Sequence, residues 1–208
     1  MKITALIFDL GGVVFNFSFD NTFDIWSVET GKNADELKRR FNFSDSNFEK
    51  FERSDITRMQ FIDSISKQLD FKFDFKTFEK GWNSIYMESI QDMDQLLMDL
   101  KKQFRLVALT NTNEIHAEVW KKKYKDILQH FEKVFCSYEI RTRKPETKAF
   151  QVVLNYLNLS PNETIFLDDK EEFINGAKQL GINTILVTSF NQMLQELKEY
   201  NVPKSLAE

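Results

Sequence analysis

The stretch "ALIFDLGGVVF", residues 5–15, decides the fold. An apolar run stops at one acid, Asp9, and resumes after the pair Gly11–Gly12. A carboxylate set between apolar runs has to be solvated, paired or metal-bound, because burying a bare charge is too costly. Glycines beside it let another backbone or a ligand come close. The run ahead of the acid, "ITALIF" (3–8), has the length of a strand and no polar alternation. That pattern suits a strand covered on both faces, as in a parallel sheet.

Three similar runs follow: "LVAL" (106–109), "TIFL" (164–167) and "TILV" (184–187), with a weaker one, "KVFCS" (133–137), among them. Helical patterns lie between. "MDQLLMDLKKQF" puts Met93, Leu96, Leu97, Leu100 and Phe104 on one face. "PETKAFQVVLNYLNL" opens with Pro145, suited to a first helical turn, and carries Phe150, Val153, Leu154 and Leu157. Strands alternating with helices predict an α/β fold, a doubly wound parallel sheet.

The segment 17–88 breaks this rhythm. It has no comparable strand run and is too long for a loop. Capping-box patterns at Asn33–Glu36 and Thr57–Gln60 start helices, and Phe61, Ile62, Ile65 and Leu69 keep helical spacing. The expected division is a core of 1–16 and 89–208 interrupted by a helical cap at 17–88. The final "PKSLAE" (203–208) reads as a loose tail.

Composition narrows the function. The 208 residues are 42% hydrophobic and 29% charged, enough for a substantial core. The net charge of −4 offers no basic field for nucleic acid and no polybasic stretch for a membrane surface. No window approaches 18 uninterrupted apolar residues, and "ITALIF" is too short for a signal-peptide core. A soluble cytoplasmic protein is expected. One cysteine, Cys136, excludes an internal disulfide; with only His116 and His130 beside it, a zinc cluster is not expected. The 21 Phe are spread along the chain and read as core. Trp26, Trp82 and Trp120 read as packing anchors, and Cys136 as a buried, inert thiol.

Each strand run ends in polar residues: Asp9, then Thr110 and Asn111, then Asp168 and Asp169. In an open parallel sheet these ends meet at one crevice, where ligands bind. Lys144, in "RTRKPE", stands just before a helix start. Three acids, a hydroxyl and an ammonium suit phosphoryl transfer. Like charges ~4 Å apart repel by about 4 kcal/mol at an effective dielectric of ~20. A divalent cation removes that repulsion, and all-oxygen ligation suits Mg²⁺. Asp9 could then attack phosphorus to form an aspartyl-phosphate, with Thr110 and Lys144 holding the nonbridging oxygens.

Four segments in order, "FDLGGV", "LTNTN", "RKPE" and "FLDD", resemble the motifs of the haloacid dehalogenase-like hydrolase superfamily. The resemblance spans nearly the whole chain, and the helical insert matches that superfamily's cap. Within it, "FDLGGVV", "LTNTNEIH", "FERSDI" and "RKPE" look most like the bacterial α-glucose-1-phosphate phosphatase group. The resemblance implies Asp9 as nucleophile and metal ligand. It adds the Gly11 carbonyl and Asp169 as Mg²⁺ ligands with Asp168 close behind, and Thr110, Asn111 and Lys144 as phosphate-binding. It raises a substrate role for Glu52 and Arg53, otherwise a solvated helix-end pair. His116 reads as a helix-surface residue or, alternatively, a contact to the cap or leaving group.

Two positions depart from the family pattern. Most phosphatases of the superfamily carry a second Asp, as general acid and base, where this chain has Gly11. An Asn often found five residues after the first acid of the last motif is replaced by Phe173. Asn175 lies about 200° further around a helix and is no simple substitute. The leading expectation is an Mg²⁺-dependent phosphatase for a small phosphorylated metabolite such as a sugar phosphate. A metal-free 2-haloacid dehalogenase and a catalytically weakened binding or regulatory protein stay open as alternatives.

Overall fold

The computed structural model describes residues 2–202, so the "PKSLAE" segment lies outside the described residues. Five strands, β1 (Ala5–Phe8), β4 (Arg105–Thr110), β5 (Lys133–Cys136), β6 (Thr164–Asp168) and β7 (Asn183–Leu186), form one parallel sheet in the order β5-β4-β1-β6-β7. Phe8 is in register with Ala108 on one side and Leu167 on the other. The unbroken apolar runs are explained by two cores. Leu6, Phe8, Leu106, Ala108 and Leu167 face one, whereas Ala5, Ile7, Val107, Leu109 and Phe166 face the other. Successive side chains point to opposite faces of a strand, so a strand covered on both sides needs an apolar residue at every position.

The helices α6 (Met93–Leu100), α7 (Glu114–Lys123), α8 (Lys125–Leu128) and α12 (Phe190–Glu199) contribute to the first core; α10 (Thr147–Leu157) and α11 (Glu171–Lys178) contribute to the second. A short α9 (Ser137–Ile140) follows β5 directly.

Between β1 and α6 lie five helices: α1 (Asp20–Thr30), α2 (Ala34–Arg40), α3 (Ser46–Glu52), α4 (Arg58–Leu69) and α5 (Phe75–Trp82). They share an aromatic cluster in which Trp26 and Trp82 stack with centroids 6.2 Å apart. Gly81 makes this possible: a Cβ there would fall 2.3 Å from the Trp26 ring. The Thr57–Gln60 capping box closes in both directions. At Asn33 the side chain accepts from the Glu36 N–H at 3.1 Å. The strandless reading of 17–88 needs one correction. A two-stranded antiparallel ribbon, β2 (Phe15–Phe17) with β3 (Tyr86–Ser89), leads the chain into and out of the helices. Strands this short carry too few alternating residues to be recognised by period. Among the described residues no helix is long and apolar enough to cross a membrane.

Candidate active site

β1 sits between β4 and β6, so the strand order reverses at the strand that ends in Asp9. At such a switch point the loops on either side diverge and leave a crevice. A cavity of about 450 Å³ opens there, with Asp9, Thr110, Lys144 and Asp169 among its lining. The loop after Asp9 folds around the Leu10 carbonyl, which accepts from Val13, Val14 and Phe15 at 3.3, 2.7 and 3.1 Å.

Lys144 is fully buried. Its Nζ lies 2.8 Å from Asp9 Oδ1 and 2.6 Å from Asp168 Oδ2. The rings of Phe166 and Phe173 flank the ammonium at 5.4 and 5.0 Å, which answers what Phe173 does at its unusual position. Burial works against the charged form of Lys144, but Asp168 and Asp9 together hold its pKa above the ordinary value. Burial raises Asp9, and Lys144 opposes it. Burial likewise pushes Asp168 up to about 7, again against Lys144.

The backbone carrying Lys144 is clamped by Asn111. The Lys144 N–H donates to Asn111 Oδ1, and Asn111 Nδ2 donates to the Lys144 carbonyl, both at 2.9 Å. The Asn111 amide, expected to bind phosphate, spends its oxygen and one of its two N–H groups on positioning Lys144, and the residue lines the cavity. Gly176 lets α11 approach the same loop: a Cβ there would sit 2.8 Å from the Pro145 carbonyl oxygen. The next loop is fixed by Ser137, whose hydroxyl accepts from the Thr112 N–H at 2.9 Å and donates to the Thr112 carbonyl at 2.8 Å.

Asp9, Asp168 and Asp169 each offer a carboxylate oxygen within 4.8 Å of the others. Asp168 has both oxygens engaged, one by Lys144 and one by the Lys170 N–H at 2.8 Å. That leaves Asp9 and Asp169 as the side chains able to face a cation directly. Gly12, at φ 82°, gives Asp169 its place, since a Cβ would fall 2.9 Å from that carboxyl group. Three carboxylates against the ammoniums of Lys144 and of Lys170, the latter 3.3 Å from Asp169, still leave a net negative floor that repels a phosphate dianion. A divalent ion reverses that sign, and the all-oxygen donor set suits Mg²⁺.

The residues predicted from the insert divide. Glu52 is not solvated: it is 7% exposed, lines the cavity, and accepts from Arg143 Nε at 2.7 Å. Burial raises its pKa, and Arg143 opposes the rise. Arg53 does not line the cavity. Its guanidinium is held outside by Glu146 at 2.8 Å and Asp55 at 3.0 Å, so it ties the insert to the sheet domain. His116 is not a surface residue; its ring is buried, stacked on Trp82 at 4.7 Å. Burial pushes its pKa down to about 3, so it is neutral at physiological pH.

Sequence reasoning missed Phe17. A Cβ at Gly11 would meet the Phe17 ring at 3.1 Å. The ring thus crowds the space that a second acid would need. With Phe19, Phe43 and Phe48 it forms an aromatic wall of the cavity. The signal was hidden because 21 Phe are spread through the chain and nothing local distinguishes these four.

Comparison with known proteins accords with this geometry. The chain is 21% identical over 201 residues to a D-ribitol-5-phosphate phosphatase of Bacteroides thetaiotaomicron, covering 94% of this chain and 97% of that one. It superposes on a HAD family enzyme of the same organism, solved in complex with magnesium and inorganic phosphate, with a TM-score of 0.75 and 29% identity over 91% of this chain and 96% of that one. An L-2-haloacid dehalogenase of Xanthobacter autotrophicus shares the fold, with a TM-score of 0.66 at 15% identity over 97% of this chain and 84% of that one. The haloacid dehalogenase-like hydrolase model matches residues 6–187. A match that runs from β1 to the end of β7 takes in every strand end that meets at the crevice, and the chain therefore belongs to the haloacid dehalogenase-like hydrolase family.

Proposed function

We propose that the protein is an Mg²⁺-dependent phosphatase for a small phosphorylated metabolite, with sugar and polyol phosphates as the leading class. The observation that carries the reading is the Lys144 ammonium held 2.8 Å from Asp9, beside an Asp169 that can face a cation. In this reading Asp9, Asp169 and the Gly11 carbonyl hold the ion, with Asp168 acting through Lys144. When bound, Mg²⁺ supplies the positive charge that offsets the carboxylates and the incoming phosphate.

The chain's own groups do the rest. A carboxylate oxygen of Asp9 attacks phosphorus, the bond from phosphorus to the leaving oxygen breaks, and that oxygen takes a proton from solvent water. Thr110 and Lys144 hold the nonbridging oxygens as charge develops. Water then attacks the aspartyl-phosphate, releasing phosphate and restoring the carboxylate. The helical insert at 17–88 acts as a cap that excludes water and selects leaving groups. With Gly11 in place of an acid, the most reactive substrates are those whose leaving oxygen is acidic. An anomeric hydroxyl is more acidic than an ordinary alcohol, which favours glucose 1-phosphate over glucose 6-phosphate. A cytoplasmic setting fits the single cysteine.

The test is hydrolysis of p-nitrophenyl phosphate with Mg²⁺ and with excess EDTA, beside 2-chloropropionate without metal. Activity lost to EDTA and restored by Mg²⁺ is expected. Dechlorination that ignores EDTA would support the dehalogenase alternative, and no turnover of any kind the binding protein. Glucose 1-phosphate against glucose 6-phosphate then tests the substrate preference.

A further inference from the structure

One wall of the cavity is made of rings. Phe17, Phe19, Phe43 and Phe48 line it. Two of them, Phe17 and Phe43, are 36% and 47% exposed. Exposed apolar side chains scattered singly need no explanation, but these two share one concavity and are held there. Phe17 meets Phe19 edge-on at 6.1 Å. Phe43 meets Phe19 at 4.9 Å and the buried Phe41 at 4.6 Å. Phe19 is braced in turn by the buried Trp82 at 5.8 Å.

The place of this wall says what covers it. The Phe17 ring lies 3.1 Å from the position that a Cβ of Gly11, next but one to Asp9, would take. A phosphate set before Asp9 therefore has its leaving group beside the rings. At about 450 Å³ the cavity has room for one small metabolite. The floor opposite is polar, and Asn111 lines it with one N–H still to give. Charge sets a further limit. Away from the acids that suit a cation, Arg143 lines the cavity, and Glu52 at 2.7 Å and Glu49 at 3.1 Å already hold it. Among the described residues of the lining no cation is left unpaired to receive a second anionic group.

We propose that Phe17 and Phe43 form a platform for one face of an uncharged pyranose ring, so that the site prefers cyclic sugar phosphates to open-chain polyol phosphates and to sugar phosphates with a second charge. The proposal rests on the phosphatase reading above and narrows its substrate class. A pyranose carries C–H bonds on its faces and most of its hydroxyls around its rim. It can therefore show the rings an apolar face and the floor a polar edge. The ring is already rigid, whereas an open chain loses torsional freedom on lying flat. A carboxylate on the sugar would lose its water and find no partner. Phe17 and Phe43 are specificity residues and take no part in making or breaking bonds.

The experiment reads affinity apart from leaving-group chemistry. With Mg²⁺ and the full chain, glucose 1-phosphate, mannitol 1-phosphate, glucuronic acid 1-phosphate and phenylphosphonate are measured as competitive inhibitors of p-nitrophenyl phosphate hydrolysis. Wild type, Phe43→Ala and Phe43→Trp are compared. In wild type glucose 1-phosphate is expected to bind about tenfold tighter than the mannitol and glucuronic acid compounds. Its advantage over mannitol 1-phosphate should collapse in Phe43→Ala and be kept in Phe43→Trp, which restores a flat face. Its advantage over glucuronic acid 1-phosphate should survive in both, because it comes from charge. Should Phe43→Ala not fold, Phe43→Leu, which keeps bulk without a flat face, takes its place. Equal binding of the ring and the open chain in wild type, or an advantage that Phe43→Ala leaves intact, overturns the platform. Equal binding of glucuronic acid 1-phosphate overturns the limit on charge, and no inhibition by any sugar phosphate overturns both. If phenylphosphonate alone weakens in Phe43→Ala, the rings serve an aryl group and the proposal fails. Absence of p-nitrophenyl phosphate hydrolysis by wild type with Mg²⁺ defeats the phosphatase reading instead.

Discussion

Where the sheet builds the floor of the cavity, charged and polar side chains are held by one another; where the helical insert builds the roof, rings are held by rings. On the floor Lys144 is shared by Asp9 and Asp168, Asn111 fixes the backbone of Lys144, and Ser137 fixes Thr112. These are directional contacts in a dry place, so each partner fixes the position of the next. The roof gathers Phe17, Phe19 and Phe43 through edge-to-face contacts that tolerate small shifts. Chemistry that needs charge at a set point belongs on the first surface. Selection of a leaving group by shape can be left to the second. Glu52 and Arg143 join the two across the cavity at 2.7 Å.

Breaking the floor should have the larger consequences. Asp9→Asn removes the proposed nucleophile while keeping its shape, and a fall of about 10³-fold or more in p-nitrophenyl phosphate hydrolysis is expected. Circular dichroism and thermal melting should stay close to wild type. A folded variant retaining more than a tenth of the activity would overturn the assignment of Asp9.

Lys144→Met strands two carboxyl groups in the interior. Removing one partner of a buried ion pair costs about 3–5 kcal/mol, to be read from urea unfolding at neutral pH. A loss below about 1 kcal/mol would mean that Lys144 is not what holds Asp9 and Asp168 in place.

Sharpening the boundary between floor and roof requires a double change. Without an internal acid, the rate should depend steeply on leaving-group acidity across substituted phenyl phosphates. Gly11→Asp alone pushes a side chain against the Phe17 ring. Gly11→Asp with Phe17→Ala has room for the carboxyl group and should flatten the slope further. General acid catalysis contributes ~10²–10⁴-fold in favourable cases, so up to about 10²-fold on the poorest leaving group is a reasonable scale. A flat slope in wild type would show that a donor is already present, with Glu52, which lines the cavity, the first candidate.

The smallest effect concerns His116. Its pKa is near 6.5 when unfolded and is lowered to about 3 in the fold by burial. Between those values the unfolded chain binds more protons, so stability is lost as pH falls from 6.5 towards 3. His116 should therefore cost about 2 kcal/mol of stability between pH 7 and pH 5. The quantity to measure is the difference in urea-unfolding free energy between wild type and His116→Gln at the two pH values, which removes the contributions of other titrating groups. Equal pH dependence in the two proteins would mean that the ring is open to solvent.

Much of the floor was legible in the chain. An unbroken apolar run such as "TIFL" announces a strand covered on both faces, and an acid at its end is carried to the switch point by topology alone. That reasoning brought Asp9, Thr110 and Asp168–Asp169 to one crevice without any knowledge of loop geometry. The clamp that Asn111 makes on the backbone of Lys144 was not legible, because the two residues lie 33 positions apart. The burial of His116 and the outward ion pairs of Arg53 were hidden for a similar reason. A helix pattern states which residues share a face, but not what is packed against that face. The sheet and the line of polar strand ends follow from the two-residue period and the burial of parallel strands, which are local properties. Only the tertiary structure decided that Phe17 crowds the space beside Gly11, that Arg53 turns away from the cavity, and that His116 is buried against Trp82. Each of these depends on which distant surface arrives beside the residue, and no local period encodes that arrival.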